Sequence, residues 1–263
     1  MTPPPRILVI AGSDSSGGAG IQADIKTVTM LGGYAMNAIT AITAQNTTGV
    51  QAVQALPEEM VAAQIESCLS DIGADAVKIG MLGSAGIANL VADRLDSFAG
   101  PIVFDPVMIA TSGSVLADEE TIAAFGRLMS IATITTPNLP ELAALGDGPV
   151  QSEEAIYKAA AALAARHDSY VLAKGGHGGG DTVTDLLVAP FELALRFDHA
   201  RLDTRHTHGT GCTLSSAIAT LLGHGQPMEH AVRLARQFVF RALQAAPGFG
   251  AGHGPLGHQA VRS

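Results

Sequence analysis

The sequence predicts an α/β protein with a largely parallel sheet covered by helices on both faces. Three observations carry this. Short apolar runs closed by Gly or Pro recur along the 263 residues, and segments with apolar side chains at helical spacing stand between them. The short runs are apolar throughout rather than alternating, as in strands buried on both sides. Parallel strands need crossover connections that pack back onto the sheet, so the alternation and the double burial point to one architecture.

Ile7 to Ala11 is the first such run, closed by Gly12; Ile21, Ile25, Val28 and Leu31 then recur at helical spacing until Gly32-Gly33. Pro57-Glu-Glu opens a second helix with Val61, Ile65, Cys68, Leu69 and Ile72 inward, its glutamates suited to the helix dipole, and Gly73 precedes the strand-like Ala76 to Met81. Ser84 caps a helix that runs through Phe98, Pro101 introduces Ile102-Val-Phe-Asp105, and Asp118 caps a helix before Thr133 to Thr136. Ser152 caps another before Tyr170 to Ala173. Two stretches break the alternation. Tyr34 to Leu56 reads as strand-turn-strand around Asn46-Thr-Thr-Gly49, a small lid, and Asp181 to Phe197 reads as a hairpin on the sheet edge. No internal repeat or polar linker divides the chain, so residues 1–263 are expected to form a single domain.

Composition narrows the function classes. With 47% hydrophobic and 15% charged residues the chain is globular, not disordered. A net charge of −9 without a Lys/Arg run repels phosphate backbones, so no nucleic-acid partner is expected. No apolar stretch reaches the roughly 20 residues of a membrane span, and Met1-Thr-Pro-Pro-Pro-Arg6 leads into a run too short for a signal peptide. Two cysteines, Cys68 and Cys212, do not make a secreted disulfide framework, so the expected compartment is the cytoplasm.

In open parallel sheets ligands bind beyond the carboxyl ends of the strands, and the loops there hold the chemistry. His206-Thr-His-Gly-Thr-Gly-Cys212 precedes a small-residue helix, so the amides of Gly209, Thr210, Gly211 and Cys212 could cradle a phosphoryl group; tight helix packing is the plainer use of such glycines. At that helix start the dipole would depress the Cys212 thiol pKa, making it a base or nucleophile, unless it is simply a buried small hydrophobe. His206 and His208 read as solvated loop histidines rather than metal ligands. Asn138 and Glu141 in Thr136-Pro-Asn-Leu-Pro-Glu141 could face one hydrated Mg²⁺, or merely start a helix. Asp105 and Lys174 each end a strand, the lysine suited to phosphate oxygens. A carboxylate pair for Mg²⁺, a lysine for phosphates and an amide cradle are the parts of phosphoryl transfer, which makes the joint reading a kinase. The glycine-rich Gly12 to Gly20 fits neither the G-x-G-x-x-G spacing nor a P-loop, which weakens an NAD oxidoreductase reading.

Taken together, Ala11-Gly-Ser-Asp-Ser-Ser-Gly-Gly-Ala-Gly-Ile-Gln-Ala-Asp24, Lys78-Ile-Gly-Met81, Asp105-Pro-Val-Met108, Thr136-Pro-Asn-Leu-Pro-Glu141, Lys174-Gly-Gly-His177 and His208-Gly-Thr-Gly-Cys212 resemble the hydroxymethylpyrimidine/phosphomethylpyrimidine kinases of the ribokinase-like superfamily, from about Arg6 to the last helix. The resemblance implies a three-layer α/β/α fold, ATP and Mg²⁺ as cofactors, and two successive phosphorylations: of 4-amino-5-hydroxymethyl-2-methylpyrimidine, then of its monophosphate, in thiamine biosynthesis. It implies that Gly12, Gln45, Met81 and the Val107 backbone line the pyrimidine pocket with Asp24 nearby, and that Lys174 contacts ATP phosphates. Asn138, Glu141 and Asp105 would hold Mg²⁺. Cys212 stands where sugar kinases of the superfamily carry an aspartate base. A homodimer through the lid strands is a further expectation. The chain departs from the pattern in Gly178-Gly-Gly180 and in a short tail after Phe249, which bears on the adenine side. Pyridoxal kinase on the same fold and a non-catalytic sensing module are the rival readings.

Overall fold

The computed structural model describes residues 3–110, 113, 115–146, 148–177, 179–191 and 194–261. Gly178 of the Gly178-Gly-Gly180 run lies outside them. Strands β1 (Arg6–Asp14), β2 (Tyr34–Asn46), β3 (Gly49–Ala55), β4 (Ala76–Ile79), β5 (Ile102–Phe104), β6 (Ile134–Thr135), β7 (Tyr170–Ala173), β8 (Thr182–Val188) and β9 (Leu195–Ala200) form one sheet in the order β3-β2-β1-β4-β5-β6-β7-β8-β9. From β2 to β7 all pairs are parallel; β3, β8 and β9 are antiparallel edges. The helices are α1 (Gly20–Met30), α2 (Glu58–Asp71), α3 (Ala85–Leu95), α4 (Glu119–Ile131), α5 (Leu139–Leu145), α6 (Glu153–His167), α7 (Thr210–Gly223) and α8 (Met228–Gln244).

β1 shows why its residues must all be apolar. Successive side chains point to opposite faces, so Leu8 and Ile10 join the core beneath α2, α3, α4 and α6, while Ile7 and Val9 join the core beneath α1, α7 and α8. Each strand residue is shared out between two helical layers, which gives the three-layer α/β/α architecture. Ser84, Asp118 and Ser152 cap their helices as expected, each accepting from the amide three residues on.

Some boundaries differ from expectation. α3 ends at Leu95, not Phe98. Ile25 and Ile72 are more than a third exposed although their spacing matches the inward face; Ile72 falls just past α2, as its C-cap. The lid is not a hairpin apart from the sheet. β2 pairs in parallel with β1 from Tyr34 to Thr43 and overlaps an antiparallel pairing with β3 from Ala41 to Asn46, so one strand belongs to both. The outer edge of β3 has no partner among the described residues. No described helix is long and apolar enough to cross a membrane.

Candidate active site

The strand order reverses at β1: the chain runs from β1 to β2 on one side and then to β4 on the other, which opens a crevice beyond their carboxyl ends. Gly12 stands at the exit of β1 and its amide donates to the Met81 carbonyl at 3.1 Å. A Cβ on Gly12 would meet the Met81 methyl at 2.7 Å, so the missing side chain is what lets this thioether lie across the backbone. Gln45 lies half-buried near the end of β2, where pairing with β3 slips by one residue between Ala44 and Gln45. Its Oε1 accepts from the Thr43 hydroxyl at 3.1 Å. The Val107 amide is engaged by the Asp105 carbonyl at 2.8 Å.

The polar centre lies along the ends of β5 to β7. Lys174 Nζ donates to Asp105 Oδ1 at 2.8 Å and stands 3.9 Å from Glu141 Oε2. Thr136 and Ser215 also donate to Asp105, at 3.1 and 3.5 Å. Burial works against the Lys174 charge, but Asp105 and Glu141 overcome it and hold the lysine above its ordinary value. Burial, helped by the Asp105 charge, pushes Glu141 up to about 7 against the pull of Lys174. Asn138 and Glu141 form a capping box at the start of α5, so the plainer reading of this segment, a helix start, is what their spacing encodes. The Asn138 oxygen is committed to the Glu141 amide at 2.9 Å.

α7 begins beside this centre. Gly209 is its N-cap at φ 85°, in the left-handed region, and a Cβ there would meet the Gly18 carbonyl oxygen at 1.9 Å. At Gly211 a Cβ would lie 3.4 Å from both Asp105 Oδ2 and Lys174 Nζ. The first turn, whose Gly211 and Cys212 amides point out of the helix start while the Thr210 amide donates to the Thr207 carbonyl at 3.3 Å, is therefore within contact distance of the lysine–carboxylate cluster.

Three expectations are corrected. Cys212 does not have a depressed pKa: burial pushes its thiol up to about 11, and the pull of Lys78 only partly opposes that, so at neutral pH it is a thiol. The negative charges of the buried Asp24 and Asp105 add to that push. Asp24, expected near the pyrimidine pocket, exposes no surface to a ligand. It is fully buried beneath the site, where both its oxygens take the wholly buried Lys78 at 2.9 and 3.0 Å and Ser216 donates to it as well. His208 is no solvated loop histidine but 5% exposed, with Nε2 2.8 Å from Asp14 Oδ2. Against the push of burial, hydrogen bonds from His208, Ser16 and Ala19 hold the Asp14 carboxyl at about 2. Both cysteines are free.

Sequence reasoning assigned nothing to Asp14 and Lys78. Asp14 meets its histidine across 194 positions, and Lys78 reads as one polar residue in an apolar strand. That lone lysine was the signal, because a charge inside a buried strand needs an opposite charge nearby.

The family model for phosphomethylpyrimidine kinase matches residues 14–257. A hydroxymethylpyrimidine/phosphomethylpyrimidine kinase of Streptomyces coelicolor is 47% identical over 256 residues, covering 97% of this chain and 94% of its own. The crystal structure of a phosphomethylpyrimidine kinase from Clostridium difficile superposes with a TM-score of 0.80 at 38% identity, over 90% of this chain and 98% of that one. A pyridoxal kinase from Staphylococcus aureus, in complex with AMP-PCP and pyridoxal, gives 0.90 at 32% identity over 98% and 96%. With matches this extensive in sequence and in fold, the chain belongs to the phosphomethylpyrimidine kinase family, on the ribokinase-like fold.

Proposed function

We propose that the protein transfers the terminal phosphoryl group of ATP to the hydroxymethyl oxygen of 4-amino-5-hydroxymethyl-2-methylpyrimidine, and then a second to the resulting monophosphate, in the cytoplasm. The observation that carries this reading is the meeting of Lys174, Asp105 and Glu141 with the first turn of α7, one crevice away from Gly12, Gln45 and Met81. The Gln45 carboxamide is suited to accept from the 4-amino group and donate to the adjacent ring nitrogen, and Met81 gives the ring a polarisable wall. Lys174 neutralises phosphate oxygens, and the amides of Gly209 to Cys212 hold the group in transit, so most of the catalysis is positioned charge.

Two carboxylates beside one lysine fit Mg²⁺, which takes one or two carboxylates and fills its shell with water and phosphate oxygens. Among the described residues no three His, Cys, Asp or Glu side chains cluster as a closed metal cage. Glu141 and Asp105 would hold the ion; Asn138, committed to its cap, would act through water. When bound, Mg²⁺ supplies further neutralisation of phosphate charge. A carboxyl raised to about 7 is charged above that pH and neutral below it. Apparent Mg²⁺ affinity is therefore expected to fall about tenfold per pH unit below roughly 7, and the dependence to vanish in Glu141→Gln. Mg²⁺ titrations of activity between about pH 5.5 and 8 check this; a flat response places the ion elsewhere.

Cys212→Ala is expected to lower kcat about 10²-fold with KM changed by less than about threefold, the range for a group assisting proton transfer or positioning at the reacting oxygen. Steady-state kinetics decide it, and an unchanged kcat leaves the cysteine a packing role.

The second reading, pyridoxal kinase, is favoured by the match to the pyridoxal kinase structure. Parallel measurements of ATP consumption with the pyrimidine and with pyridoxal separate the two. A kcat/KM for pyridoxal well above that for the pyrimidine reverses the assignment, and substrate-independent absence of ADP release leaves only a sensing module.

A further inference from the structure

Three parts of the chain far apart in sequence converge on His208. Its ring Nε2 lies 2.8 Å from Asp14 Oδ2, at the exit of β1. Asp14 is an acceptor only, held ionised at about 2, so Nε2 carries the proton and donates. The same Nε2 stands 3.5 Å from the Gln45 amide nitrogen on β2. The His208 backbone amide donates to the Gly254 carbonyl of the C-terminal tail at 3.1 Å. His208 also immediately precedes Gly209, the N-cap of α7.

The fit around this junction is tight. A Cβ on Gly18 would meet the His208 ring at 2.4 Å, and one on Gly209 would meet the Gly18 carbonyl oxygen at 1.9 Å. Asp14 also accepts from the amides of Gly18 and Ala19 at 3.0 and 2.8 Å, so the carboxylate that takes the histidine also shapes the loop on which α7 rests. The tail is fixed in turn on the turn after β2, where the His253 amide donates to the Thr47 carbonyl at 2.8 Å. A displacement of the His208 ring therefore moves both the start of α7 and the surroundings of Gln45.

We propose that His208, oriented by Asp14, is a positioning residue that holds the amide cradle of α7 and the Gln45 carboxamide in one frame, coupling substrate recognition to phosphoryl transfer. This rests on the kinase reading above. Its chemistry is geometric: no proton is transferred, and the Nε2–H bond to Asp14 supplies the constraint.

The test compares His208→Gln, whose amide nitrogen reproduces the position of Nε2, with His208→Asn, whose shorter chain cannot reach Asp14; Asp14→Asn serves if His208→Asn does not fold. In steady-state assays with the pyrimidine, His208→Asn is expected to lower kcat about 10²-fold and raise the pyrimidine KM about tenfold, and His208→Gln to recover most of both. Pairing His208→Asn with Gln45→Ala should add little to the KM of the worse single variant, because His208, packed donor to donor against the Gln45 amide at 3.5 Å, acts on the pyrimidine only through where it places that side chain. Hydrogen exchange across residues 209–214 of the ligand-free protein needs no substrate: exchange about tenfold faster in His208→Asn, restored in His208→Gln, is expected. Equal kinetics for the Asn and Gln variants, additive KM effects, or unchanged exchange in His208→Asn each overturn the proposal. Wild-type protein that does not turn over the pyrimidine overturns the functional reading instead, and the exchange comparison still decides the role of His208.

Discussion

Lys174→Ala is expected to lower kcat about 10³-fold while leaving the pyrimidine KM within about threefold of wild type. In the resting protein the lysine stands between Asp105 and Glu141, 14% exposed, and is the charge that answers both carboxylates. Under the proposed function, removing it takes away the positive group assigned to the phosphates and leaves two carboxylates in mutual repulsion, so the loss would belong to the charge-separated transition state, not to the binding of a neutral ring. Single preorganised contacts of this kind contribute about 10²–10³ in kcat, and the unanswered carboxylates place this variant at the upper end. Lys174→Arg, keeping charge without the compact ammonium, should recover part of the rate. Steady-state kinetics with each substrate varied read the outcome, and a thermal unfolding scan separates a catalytic loss from a folding one. A kcat within tenfold of wild type would remove Lys174 from the chemistry.

The largest effect on stability is expected from Lys78→Met. Lys78 and Asp24 are both wholly buried, and the methionine leaves Asp24 in the core with Ser216 as its remaining hydrogen-bond donor. Breaking such a pair from one side costs about 3–5 kcal/mol. The double variant Lys78→Met with Asp24→Asn should regain much of this, because it removes the orphaned charge. The sign with pH is also fixed. Burial raises the Asp24 carboxyl above its unfolded value, more so without the lysine, so the single variant gains stability relative to wild type as pH falls and the group takes up a proton. Denaturant unfolding at neutral and mildly acid pH measures both. A loss below about 1 kcal/mol, or one independent of Asp24, would mean that the pair is dispensable to the fold.

What the sequence made legible follows a physical division. Elements fixed by local periodicity and caps could be read directly: Ser84, Asp118 and Ser152 start their helices where expected, and the apolar β1 and β7 lie between helical layers. Lys174, Asp105 and the Gly209 start of α7 were also within reach, because strand ends and a glycine before a small-residue helix are local signals. Asp14 with His208 and Asp24 with Lys78 were not, since each pair is joined by folding across long separations and neither matches a spacing template. The Cys212 thiol was misread for a related reason. A helix start is visible in sequence, but the burial that outweighs it is a property of the packed core.

β2 begins as the outermost parallel strand, paired with β1, and ends paired with β3 as the strand that carries Gln45. Gln45, which the proposed function assigns to recognition, is therefore covalently continuous with a strand hydrogen-bonded into the sheet. Backbone entropy at Gln45 is lost when the chain folds, so under the proposed function a pyrimidine would meet a residue already held in a strand, and affinity there would be governed by contact quality instead of loop closure.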